Sequence, residues 1–235
     1  MLVLGFDTTA LACSVALVNA DTQQVLSDIQ INRGSKHSEQ LLPVIDQVLR
    51  NARRTISEVE LFAVAKGPGS FTGVRIAVAT AKALAQGQEA PLIGVNSLEA
   101  LASNCLCPHS LIVPLLDARK NECYTASFRN EGQALVRQTD DYAAEPQALF
   151  TSMQAESSVI FIGEPTERYR QQIHDALGDK AVIAPSAMGS IRGAQVAALG
   201  WKQYNQGQRD SFFDLAPLYL RKSEAETTWE AKHGG

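Results

Sequence analysis

Apolar and polar positions along the chain change period in a fixed order. Residues 2–7, 12–18 and 24–31 are short, β-branched-rich runs, and Asp21-Thr22 supplies a turn between the second and third. A helical period follows over 36–54, entered through Gly34-Ser35 with Glu39 in its first turn. Strand 60–66, helix 72–87, strand 91–96 and helix 97–105 complete the first half. The second half repeats the order: strands 110–117, 122–129 and 133–139, helix 145–154, strand 158–163, helix 165–177, strand 180–184 and helix 189–206. A faint echo accompanies this repeat at a displacement of about 110 residues: Asp7 with Asp117, Cys13 with Cys123, Ala16 with Ala126, and Gln23 with Gln133.

Three hairpin-linked strands followed by alternating helices and strands predict a mixed sheet covered by helices. The class is therefore α/β, with duplicated βββαβαβα lobes of the actin-like (ASKHA) type. One lobe is expected over 1–106 and a reduced second lobe over 107–223, divided near Cys107-Pro108. The stretch from Asp210 to Arg221 is expected to pack back on a lobe, and 224–235 to form a mobile tail.

Charge narrows the function. With 21 basic against 25 acidic residues, the net charge of −4 argues against strong independent binding to nucleic acid. The densest basic cluster, Arg50, Arg53 and Arg54, suits a solvated helix end. No apolar run approaches a membrane span, and the four cysteines form no disulfide-scaffold pattern. A reduced, cytoplasmic protein is expected.

Candidate chemistry centres on Gly67-Pro68-Gly69-Ser70-Phe71-Thr72-Gly73, between a strand and a helix. Two readings fit: backbone amides that hold an anion, or a tight turn that lets the helix pack closely. The matching turns for an ATPase are poor. Asp7-Thr8-Thr9-Ala10 and Asp117-Ala118-Arg119-Lys120 lack glycine, and Gly163 precedes Glu164-Pro165, where a carboxylate would repel phosphate. Asp7, Thr8, Thr9, Gly67, Gly69, Ser70, Asp117 and Arg119 together outline a vestigial cleft. Asp117 with Arg119 also fits a structural ion pair.

His37, His109, His174 and His233 are scattered, and Cys105-Leu106-Cys107-Pro108-His109 lacks zinc-knuckle spacing. No metal or cofactor is expected. Neighbours in His37-Ser38-Glu39 do not face each other on a helix, so no acid–base pair is expected there.

Several strings converge on one family: Asp7-Thr8-Thr9 with Ser14-Val15-Ala16-Leu17, His37-Ser38-Glu39-Gln40-Leu41-Leu42-Pro43, Gly67 to Arg75, Gly94 to Leu101, Asp117-Ala118-Arg119, and Pro217-Leu218-Tyr219-Leu220-Arg221. Together they resemble the TsaB (YeaZ) family. The resemblance implies a non-catalytic partner of the TsaD-type threonylcarbamoyltransferase, which makes threonylcarbamoyladenosine beside the anticodon of tRNAs reading codons that start with A. It implies a TsaD-like catalytic subunit and a TsaE-like ATPase as partners, a homodimer when alone, and only indirect contact with tRNA. Where TsaD carries two metal-binding histidines one helical turn apart, this chain has Ser97 and Leu101. The alternative within the same fold is a small-molecule phosphotransferase or a metallopeptidase.

The helix beginning at Val74 is apolar around most of its circumference, with Arg75, Lys82 and Gln86 in one arc. A second surface is therefore expected to cover it. Leu41, Ile45, Val48, Phe71, Ala77, Thr80, Ala81 and Leu84 are the expected partner contacts. Ala81→Arg or Leu84→Asp is expected to leave a folded chain that associates poorly.

Overall fold

The computed structural model describes residues 1–32, 37–132 and 134–221, without the side chains of residues 37–39. In the first half, β1 (Leu2–Asp7), β2 (Ala12–Asn19) and β3 (Gln24–Asn32) form an antiparallel meander. After α1 (His37–Asn51), β4 (Leu61–Ala65), α2 (Phe71–Gly87), β5 (Leu92–Val95) and α3 (Ser97–Ala102), the strand order is β3-β2-β1-β4-β5. β1 pairs with β4 in parallel, and all but its first residue are buried. A strand buried on both faces reads as a continuous apolar run, so the sequence signalled the strand without saying which helix covers which face.

In the second half, β6 (Leu111–Asp117), β7 (Cys123–Thr125), β8 (Phe128–Glu131), β9 (Ala134–Arg137) and β10 (Tyr142–Ala144) precede α4 (Pro146–Ser152) and β11 (Val159–Ile162). Then come α5 (Pro165–Arg168), α6 (Arg170–Leu177), β12 (Ala181–Ile183) and α7 (Gly193–Asn205). The main path of this sheet is β10-β7-β6-β11-β12, with β8 joining β6 to β9.

Two predicted elements break and one unpredicted strand appears. The strand expected over 122–129 divides because β7 pairs with the end of β6 while β8 pairs with its start. β10, unforeseen, adds to the free edge of β7. The helix expected over 165–177 is interrupted at Tyr169, where φ is −101° and ψ 10°; its buried ring packs at 6.1 Å from Phe150.

The lobes exchange helices, which corrects the expectation that helix 189–206 completes the second lobe. α7 packs across β1, β2, β4 and β5 of the first sheet, while α3 lies on β6 of the second. The first sheet is thus covered on one face by α1 and α2, with Leu41, Val48, Val74 and Ala81 in the core. Its other face meets Val196 and Ala197 of α7. A Cβ on Gly5 would lie 2.3 Å from the Gly193 carbonyl oxygen, so the close crossing of β1 and α7 requires glycine there.

Residues 210–219 lie on the first lobe, and Arg221 pairs with Glu122 of the second. The Asp210 amide donates to Leu92 O at 3.0 Å, its carboxylate accepts the Gly94 amide at 2.7 Å, and Leu215 is buried. The tail expected at 224–235 lies outside the described residues, as does Gln133 of the internal echo.

Candidate functional site

The glycine turn delivers α2 against the end of β1. Ser70 caps the helix, its Oγ accepting the Gly73 amide at 3.3 Å. The Ser70 amide donates to Thr9 O at 2.7 Å, and Thr8 Oγ1 donates to Gly73 O at the same distance. A Cβ on Gly73 would sit 1.8 Å from the Thr8 carbonyl oxygen, a backbone atom with nowhere to go. Gly69 lies against Thr9 and Gly67 against Leu218. Of the two readings of this motif, close packing is the one seen. Gly73→Ala is expected to destabilise the chain by about 1–3 kcal/mol through overpacking. Urea denaturation of the variant checks this.

Asp7 ends β1, fully buried. Its Oδ1 accepts the Thr9 amide at 2.9 Å and Thr9 Oγ1 at 2.6 Å, while Oδ2 has no partner. Burial pushes the carboxyl up to about 7, against the opposing pull of the Thr9 bonds. Thr8 and Thr9 are also buried, and Thr9 Oγ1 lies 3.0 Å from Ser97 Oγ. These three residues form the floor beneath the cleft and do not touch its surface.

Asp117, at the end of β6, mirrors Asp7: its Oδ1 accepts the Arg119 amide at 2.9 Å. Its carboxylate neighbour is Arg168 at 4.0 Å, so the expected Asp117–Arg119 side-chain pair is not formed. Asp117, Arg119, Gly69 and Ser70 do come together, lining a cavity of about 550 Å³ between the lobes with Phe71, Tyr124 and Tyr219. Arg119, Lys120 and Asn121 have φ of 64°, 50° and 59°, a left-handed run that turns the chain at this rim.

Cys13, Cys105 and Cys123 are buried, and burial pushes the Cys13 and Cys123 thiols up to about 12. Among the described residues, no group of three or more His, Cys, Asp or Glu side chains could hold a metal. The side chains of His37, Ser38 and Glu39 lie outside the described residues. Ser97 and Leu101 are both fully buried in the structure.

The helix face resolves differently from its sequence expectation. Leu41, Ile45, Val48, Ala77 and Ala81 are buried in the core of their own lobe, with no surface left to meet a partner. Phe71, Thr80 and Leu84 are half-buried and remain at the surface. Beside them the structure exposes Leu42, 55% open, together with Thr72, Ala79 and Ala83, and half-exposes Ile76. The sequence could not tell these outward positions from the buried ones, because a helix apolar on nearly every side has no direction written in its period. Arg75 and Lys82 mark the flank that the chain itself covers. Arg75 Nε donates to the Tyr219 hydroxyl at 2.7 Å, its guanidinium lies 3.9 Å from the Phe71 ring centroid, and Lys82 Nζ donates to Leu215 O at 3.0 Å.

Residues 24–229 match the family model described as "TsaD: tRNA N6-adenosine threonylcarbamoyltransferase". The chain is 32% identical to the tRNA threonylcarbamoyladenosine biosynthesis protein TsaB of Bacillus subtilis, over 97% of this chain and 98% of that one. Among solved structures, YeaZ from Pseudomonas aeruginosa superposes with a TM-score of 0.76 at 23% identity, covering 93% of this chain and 99% of its own. A ROK hexokinase from Thermus thermophilus shares the fold more distantly, with a TM-score of 0.53 at 11% identity over 88% of this chain and all of that one.

Proposed function

The chain belongs to the TsaB (YeaZ) family, and we propose that it is the non-catalytic partner subunit of a TsaD-type threonylcarbamoyltransferase, required to form threonylcarbamoyladenosine in tRNA. One observation carries the non-catalytic part of this reading. The group best placed to serve as base or ligand, Asp7, is sealed under the cleft, and its Oδ1 is committed to Thr9. A carboxyl held there meets no substrate. The close packing of Gly73 on Thr8 leaves no space for a phosphate between the glycine turn and β1. This favours the partner role over a phosphotransferase.

Partner contact belongs to the outward face of α1 and α2: Leu42, Ile76, Ala79, Thr80, Ala83 and Leu84. Small side chains at Ala79 and Ala83 let a second helix approach closely. Membership of this biosynthetic family implies a complex with other Tsa proteins. The TsaD-like subunit is the partner on this face, with a TsaE-like ATPase in the same assembly and a second copy of the chain as its occupant when TsaD is missing. tRNA then meets the chain only through the complex. No helix of the described residues is long and apolar enough to cross a membrane. A cytoplasmic location fits the tRNA substrate.

The decisive measurement is threonylcarbamoyl transfer to tRNA by the TsaD-like subunit with TsaC- and TsaE-like proteins, with and without this chain. Modification is expected only when the chain is present. Equal modification without it would remove the partner role, and ATPase or peptidase turnover lost in Asp7→Ala would remove the non-catalytic one.

A further inference from the structure

Turn 8–11, between β1 and β2, presents successive backbone amides to carboxylates of the chain itself. The Thr9 amide donates to Asp7 Oδ1, and the Ala10 amide faces the same carboxyl. The next amide, Leu11, donates to Glu164 Oε1 at 2.9 Å. Glu164 lies 153 residues away in the other lobe, at the start of α5. The amides of this turn are thus divided between two carboxylates, Thr9 and Ala10 on Asp7 and Leu11 on Glu164. Here both anions are side chains, and one of them crosses between lobes.

We propose that Glu164 is an interlobe latch: its carboxylate accepts the Leu11 amide of turn 8–11 as an internal anion and ties the second lobe to the first with no external ligand. The surroundings fit that role. Glu164 borders a cavity of about 190 Å³ whose walls come from both lobes, with Leu11 and Asn32 from the first and Thr166, Ser186 and Ser190 from the second. The preceding residue, Gly163, is fixed at φ +127°, and its carbonyl accepts both the amide and the hydroxyl of Thr166. The Glu164 backbone is therefore held at the rim, and its side chain spans the gap. Asp117, Arg168 and Asp7 are the charged groups that face it; burial pushes its carboxyl up while the Leu11 amide draws it down.

Two neighbouring ties share the same seam. Ser14 Oγ accepts the Gly193 amide at 2.8 Å, and Asn104 Nδ2 donates to Met188 O and Ser190 O, both at 2.8 Å. Among these ties, only Glu164 brings a carboxylate across. A charge-assisted bond of this kind is the strongest single polar link of the three.

Amide hydrogen exchange tests the latch, with inorganic phosphate as the probe of the freed Leu11 amide. In Glu164→Ala, the Leu11 amide is expected to exchange about tenfold faster, the loss of one charge-assisted bond. The Gly193 amide across the seam should exchange faster as well. Millimolar phosphate should slow Leu11 exchange again in the variant and leave wild type unchanged. If Glu164→Ala does not fold, Glu164→Gln keeps the size and one acceptor oxygen, and a smaller acceleration at Leu11 is expected. Unchanged Leu11 exchange in whichever variant folds would overturn the proposal. So would a phosphate effect equal in variant and wild type.

Discussion

Ala81→Arg is expected to unfold the first lobe, whereas Ala83→Arg, two residues along the same helix, is expected to leave it folded and weaken productive pairing. Ala81 has no exposed surface and packs in the core between α2 and the first sheet. An arginine there must displace neighbours and bury a charge with no partner, at a cost of at least about 4 kcal/mol. That is a large share of the roughly 5–15 kcal/mol that stabilises an ordinary domain. Ala83 points outward, so its substitution should alter stability by no more than about 0.5 kcal/mol. If the outward face of α2 meets the TsaD-like subunit, the same arginine should weaken association by about 30-fold, the effect of losing one well-packed contact. Circular dichroism melts separate the two variants, and titration of the TsaD-like subunit with threonylcarbamoyl transfer reads the second. Wild-type affinity in Ala83→Arg would place the interface elsewhere.

The second large effect is a stability difference that grows with pH. Asp7 titrates near 3.8 when unfolded and at about 7 when folded, because burial disfavours its charge. The unfolded chain therefore releases this proton first. Stability from the neutral carboxyl is fully present below about pH 4, falls as pH rises, and is lost by the folded value near 7. A shift of this size corresponds to about 4 kcal/mol. Asp7→Asn cannot ionise and keeps an oxygen for the Thr9 amide and hydroxyl. It should match wild type near pH 4 and exceed it by several kcal/mol at pH 8 in urea denaturation, with Glu164 leaving a residual slope. Parallel pH profiles for the two proteins would show that Asp7 is not the group that titrates.

Asp7 also illustrates how far the sequence carries. Its place at the end of a strand, echoed by Asp117, was legible because both follow an apolar run and precede a polar turn. Both carboxylates accept the amide two residues on. That one is sealed and the other open was not legible, because it depends on what packs above each turn: α2 over Asp7, a cavity over Asp117.

The sequence by itself determined most of the element order and the class of the fold, because strand and helix periods are local properties of neighbouring residues. It also determined the family, through strings spread over most of the chain. Tertiary structure alone decided which way α2 faces, since Val74, Ala77, Ala81 and Ala83 are alike in hydropathy and differ only in what lies opposite. It alone decided the exchange of α3 and α7 between sheets, and that Glu164 accepts the Leu11 amide 153 residues away. Contacts so distant in sequence leave no period and no spacing to read; they exist only once both sheets have formed and closed on one another.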